Sequence, residues 1–117
     1  MDITTPKAAI SLIEGMGQPA PDAQIGQIGR KIIVRSRDAG VIYGEYAGND
    51  GDTIHVKNAR QMWKWCAAKG HTLIDVATYG VKASDCKFSP ASATVTIFNA
   101  CAMIDVDAAA VASIEAA

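Results

Sequence analysis

The run NARQMWKWCAAKGHT, Asn58 to Thr72, holds both tryptophans of the chain two positions apart, beside Arg60, Lys64, Lys69 and His71. Its first half, RQMWKW, reads as a strand whose two-residue period puts Gln61, Trp63 and Trp65 on one face and Arg60, Met62 and Lys64 on the other. Such a strand either packs a small core or presents a binding surface for something flat and charged. That choice governs how the flanking segments are read.

Upstream, RKIIVRSR from Arg30 alternates as a strand, with Ile32 and Val34 on one face and Ile33, Arg35 and Arg37 on the other. The triplet DAG turns the chain, VIYGEYA returns, GNDG turns it again, and DTIHVKN follows with Ile54 and Val56 opposite His55. These segments predict an antiparallel meander with RQMWKW as a fourth strand. Downstream the period becomes helical: Thr72 is placed to cap, Leu73, Val76 and Ala77 share a face, and Gly80 stands where a helix stops. KASDCKFSPAS reads as a loop. ATVTIFNACAMIDV reads as one long or two shorter strands with a break near Asn99, and Asp107 is placed to cap a final alanine-rich helix ending near Ala116.

The first residues have a different grammar. Thr5, Pro6 and the stripe Ala9, Ile10, Leu12 and Ile13 predict a helix ended by Gly15 and Gly17, and GQPAPDAQIGQIG is a connector. Residues 1–29 are therefore an N-terminal helix with a Gly/Pro connector, and residues 30–117 a single α+β domain. The expected architecture is a twisted antiparallel sheet of about five strands with two or three short helices packed on it.

Composition narrows the function classes. With 117 residues the chain fits one domain. Eleven basic and twelve acidic residues leave a net charge of −1, which argues against a protein that grips duplex nucleic acid by neutralising phosphates. No apolar run approaches the ~20 residues of a membrane span, and the N-terminus lacks the pattern of a signal peptide, so a cytoplasmic location is expected. Three cysteines without a C-x-x-C spacing suit a reduced compartment, and neither they nor His55 and His71 form a metal-ligand pattern. No cofactor or metal is expected.

Motifs for catalysis are equally thin. A nucleophile with its base is conceivable only in Cys66 with His71, five residues on, and free cysteines are more often packing residues. The chain is read as a non-enzyme. What remains is a set of aromatic and basic residues: Trp63 and Trp65 as stacking surfaces, Arg35 and Arg60 as forked phosphate donors, and Thr72 and Lys87 as auxiliary polar contacts. The competing reading fills the gap between sheet and helix with the tryptophans, or places them at a protein interface, where Trp, Tyr and Arg concentrate.

The ordered runs IIVRSRDAGVIYGEY, VKNARQMWKW, TLIDVATYGVKASDCKFS and TVTIFNACAMIDV, followed by an alanine-rich end, resemble a family of small tailed-phage proteins. Its members show, in order, V-I-V-R, A-G-V-x-x-G, A-R-x-x-W-x-W, a short helix, C-K-F and a final strand pair. Arg37 and Asp38 stand here where that family has an aromatic residue and a serine, and the segment Cys66 to His71 is about two residues longer than its usual form. The resemblance extends to anti-Thoeris and anti-CBASS sponges, small soluble oligomers that hold a cyclic-nucleotide or cyclic ADP-ribose signal without altering it. It implies a phage-encoded homo-oligomer, acting in the cytoplasm of an infected bacterium, that sequesters a small nucleotide-type ligand. The alternative is a structural or interaction module of a phage that docks a protein partner through the Trp/Arg strand.

Overall fold

The computed structural model describes residues 24–117. The predicted N-terminal helix and most of its connector lie outside those residues. Three strands, β1 (Lys31–Ser36), β2 (Gly40–Asp50) and β3 (Thr53–Lys64), form an antiparallel meander. Helix α1 (Leu73–Tyr79), a 3-10 turn (Ala83–Asp85) and the short β4 (Lys87–Phe88) lead to β5 (Ser92–Ile97), β6 (Ala100–Asp105) and helix α2 (Ala108–Ala116). The six strands make one antiparallel sheet in the order β4-β3-β2-β1-β6, with β5 also paired to β3.

The sheet curls because β5 and β6 are nearly one strand that changes partners. Ile97 of β5 pairs with Ile54 of β3, and three residues later Ala100 of β6 pairs with Ser36 of β1. At the bend Asn99 takes a left-handed φ of 54°, which asparagine tolerates better than a branched residue. The Ser36 hydroxyl donates to the Phe98 carbonyl at 3.2 Å and the Ala100 N–H to the Asp52 carbonyl at 2.9 Å, tying the end of β1 and the turn before β3 to the bend. The break expected near Asn99 is therefore the closure of a partly closed barrel.

Two cores follow from the alternation read in the sequence. Ile32, Val34, Ile42, Tyr46, Ile54, Val56, Ala59 and Ile97 fill the interior of the curl. Ile33, Tyr43 and Met62, on the other face, pack against Leu73, Val76 and Ala77 of α1 and Ala110 and Ile114 of α2. Each large side chain so buried contributes about 1.5–3 kcal/mol, so both layers stabilise the domain.

The sheet differs from expectation at two places. DTIHVKN and RQMWKW are a single twelve-residue strand. Asn58, the last residue of DTIHVKN, takes φ 51°, and the β2–β3 register shifts by one residue there, so a bulge absorbs the irregularity without ending the strand. Facing it, Gly44 is packed so closely that a Cβ would strike Val56 and lie 2.8 Å from the Lys57 carbonyl. The predicted loop Lys82–Ser92 also contains β4, which raises the strand count to six. Among the described residues no helix is long and apolar enough to cross a membrane.

Candidate functional site

The strand Asn58–Trp65 separates its two tryptophans. A register shift between Met62 and Lys64 breaks the pleat opposite β4, and β3 ends at Lys64. Met62 is buried, Trp63 is 64% exposed, and Trp65, just past the strand, packs half-buried against the helix-side core. The adjacent platforms implied by the two-residue period are not formed. Trp63 instead meets Lys87 of β4, whose ammonium lies 5.3 Å from the ring centroid, within cation–π range. Lys64, in register with Lys87, is exposed beside them.

Two other predicted residues have local work. The Arg60 guanidinium donates to main-chain oxygens of Ser89 at 2.9 Å, Ile114 at 3.2 Å, Glu115 at 3.4 Å and Ala117 at 3.2 Å, and lies 5.3 Å from the Phe88 ring centroid. It caps the last carbonyls of α2, sharing that of Ile114 with the Ala117 N–H, and a cation suits the negative end of a helix. Thr72 caps α1 in a reciprocal box with Asp75, as its position in the sequence predicts. Hydrogen bonds from the Thr72 main chain and hydroxyl hold the Asp75 carboxyl below its ordinary range. Arg35 is exposed on β1, separated from Trp63 by the whole of β2. Of the six residues proposed from sequence, only Trp63 and Lys87 are brought together at a surface exposed among the described residues.

A cleft of about 450 Å³ lies elsewhere, lined by Lys31, Tyr43, Glu45, Asn58, Arg60 and Glu115 among others. Lys31 bridges two carboxylates, at 3.2 Å to Glu45 and 2.9 Å to Glu115. The Tyr43 hydroxyl donates to Glu115 at 2.7 Å and the Asn58 amide to Glu45 at 3.1 Å. Partial burial pulls the Lys31 ammonium down, but its hydrogen bonds to Glu115 and Glu45 outweigh this and leave its pKa raised. The Glu45 carboxyl is held low by Asn58 and then Lys31, and the Glu115 carboxyl by Lys31 and then Tyr43. Burial, with the bond to Glu115, pushes the Tyr43 hydroxyl well above its ordinary value of 10.0. Sequence reasoning found only Arg60 of this group. The others come from distant elements, and no local spacing announces their meeting.

Residues 29–114 match the model of a domain of unknown function, DUF6948. The chain belongs to the DUF6948 family. No curated protein and no solved structure matches it. The DUF6948 segment begins just before β1 and ends inside α2, so the family's unit is the curled sheet with both helices. It includes the Trp63 and Lys87 surface and most of the cleft.

Within this DUF6948 domain the nucleophile and base named from sequence are not joined. Cys66 directs its Sγ toward its neighbour's carbonyl, and the main chain of His71 donates to Asp75 at 3.1 Å as part of the α1 cap. Among the described residues no hydrogen bond links them, and no group of three metal-ligating side chains converges. The arrangement offers contact chemistry: an exposed indole, two ammonium groups and a mixed polar cleft.

Proposed function

We propose that this chain is a non-enzymatic interaction module, phage-encoded as its resemblance implies, that docks a protein partner through Trp63 and Lys87 at the end of β3. The observation that carries this reading is the 64% exposure of Trp63 near the end of β3, outside the cleft, with an ammonium 5.3 Å from its ring. An exposed indole is costly to leave in water and is the residue type most enriched at binding hot spots. Small ligands are instead enclosed in concave sites. With Lys64 and Lys87 beside the indole, the matching partner surface is acidic around an apolar pocket.

A second reading, sequestration of a cyclic-nucleotide or cyclic ADP-ribose signal, is favoured by the same cation and aromatic pair, since a base stacks on indole and a phosphate pairs with lysine. The two are separated by a thermal-shift screen against cyclic ADP-ribose isomers and cyclic di- and trinucleotides. A ligand at a hundredfold excess over its dissociation constant stabilises by ~2.7 kcal/mol. A shift of that size that disappears in Trp63→Ala would replace the docking reading. Docking instead predicts no shift, and a partner identified after affinity purification from infected cells that binds the wild-type chain in purified form and loses Trp63→Ala while retaining Arg35→Ala.

A further inference from the structure

The edge of the sheet opposite β2 is guarded at only one end. Residues 87–97 run along β3 as an interrupted edge strand, with β4 on Met62 and Lys64 and β5 on Ile54 to Ala59. Lys87 carries a charge there and Pro90 lacks an N–H, and both discourage another chain from pairing. The remainder, SATVTI from Ser92 to Ile97, has no charge and no proline, and four of its residues are β-branched. One side of β5 is paired with β3, and among the described residues no strand covers the other. Ala93, Thr94 and Thr96 are exposed, and Val95 stays half-exposed although it packs against the inner core.

The strand is also complementary to itself. Ser92, Thr94 and Thr96 share the outer face, where Thr94 and Thr96 stand opposite Lys57 and His55, while Ala93, Val95 and Ile97 share the inner one. Antiparallel pairing with a second copy about Thr94 sets Thr94 against Thr94 and Ser92 against Thr96 on the outside. On the inside it sets small Ala93 against Val95. Hydroxyl pairs and a small-to-large fit are favourable cross-strand neighbours. The nearest repeated charge is Lys57, whose two copies would stand three strand spacings apart, about 14 Å, which exceeds the screening length of ~8 Å at physiological salt.

We propose that Ser92–Ile97 is a homodimerisation strand: two copies of this chain pair edge to edge across a two-fold axis at Thr94 and continue the sheet from one subunit into the next. Light scattering on the full chain tests this directly. The expected mass is twice the 12.3 kDa of one chain, and Thr94→Lys, an outer-face change at an exposed position, is expected to halve it with an unchanged circular-dichroism spectrum. A wild-type chain that stays at single mass at high concentration, or a folded Thr94→Lys that stays at double mass, overturns the proposal. If Thr94→Lys fails to fold, Thr94→Cys in a Cys101→Ser background decides: oxidation is expected to give a disulfide-linked dimer, whereas Lys57→Cys in the same background gives none. Failure of Thr94→Cys to cross-link overturns the proposal as well.

Discussion

Replacing Arg60 with alanine separates a structural arginine from a ligand-binding one. The guanidinium donates to four main-chain oxygens, three of them from the last turn of α2 and the residue after it. Hydrogen bonds from a charged donor contribute about 1.5–3 kcal/mol each in favourable settings. The side chain is half-buried and one contact is long, so only part of that applies. Adding the cation's effect at a partly buried helix C-terminus, up to ~2 kcal/mol, the expected loss is about 2–4 kcal/mol. For a domain near 100 residues that lowers Tm by on the order of 15 °C. Urea unfolding followed by circular dichroism measures it. Arg60→Lys is expected to recover less than half, because an ammonium cannot span the fork of oxygens. A loss under about 0.5 kcal/mol, the size of an ordinary surface change, would refute the argument and return Arg60 to the pool of ligand contacts.

Other outcomes follow from the same geometry. Gly44→Ala drives a methyl into Val56 and the Lys57 carbonyl and is expected to cost about 1–3 kcal/mol or more in urea unfolding, while at the facing left-handed position Asn58→Gly relieves backbone strain but loses the hydrogen bond to Glu45, for an expected net cost within about 1 kcal/mol. Thr72→Ala removes half of the α1 capping box and is expected to cost about 1 kcal/mol, read as faster amide exchange in α1. Glu45 and Glu115 have folded pKa values below their ordinary 4.5, so their contribution is complete above pH 4.5 and declines as pH falls through the folded values. Unfolding measured from neutral to acidic pH should show that decline, and Glu115→Gln should flatten it.

Much of the sheet was legible because its residues obey a local rule. Ile32 and Val34 against Ile33 alternate as a strand must, and the structure puts them in separate cores. Thr72 and Gly80 bracket α1 at the expected positions. Asp107 also precedes α2 as expected, yet its main-chain carbonyl, and not its side chain, accepts from Ala110 and Val111. What was hidden depends on three-dimensional partners. The bulge at Asn58 is visible only with Gly44 opposite, and the split of Trp63 from Trp65 only with the slipped register at β4. Arg60 looked available because its acceptors are supplied by α2, some fifty residues later in the chain.

The strand that bends at Asn99 also sets an order of events during folding. Residues 31–64 can assemble as a local meander while the chain is still being made, but their inner face has no lid. Only when 92–105 arrive do Ile54 and Ser36 acquire the partners that join the two edges. Contacts of such large sequence separation are slow to form and leave partly built sheets prone to aggregate meanwhile. A nascent chain stopped before Ser92 is therefore a strong candidate for chaperone capture, and release should coincide with emergence of Ser92–Asp105.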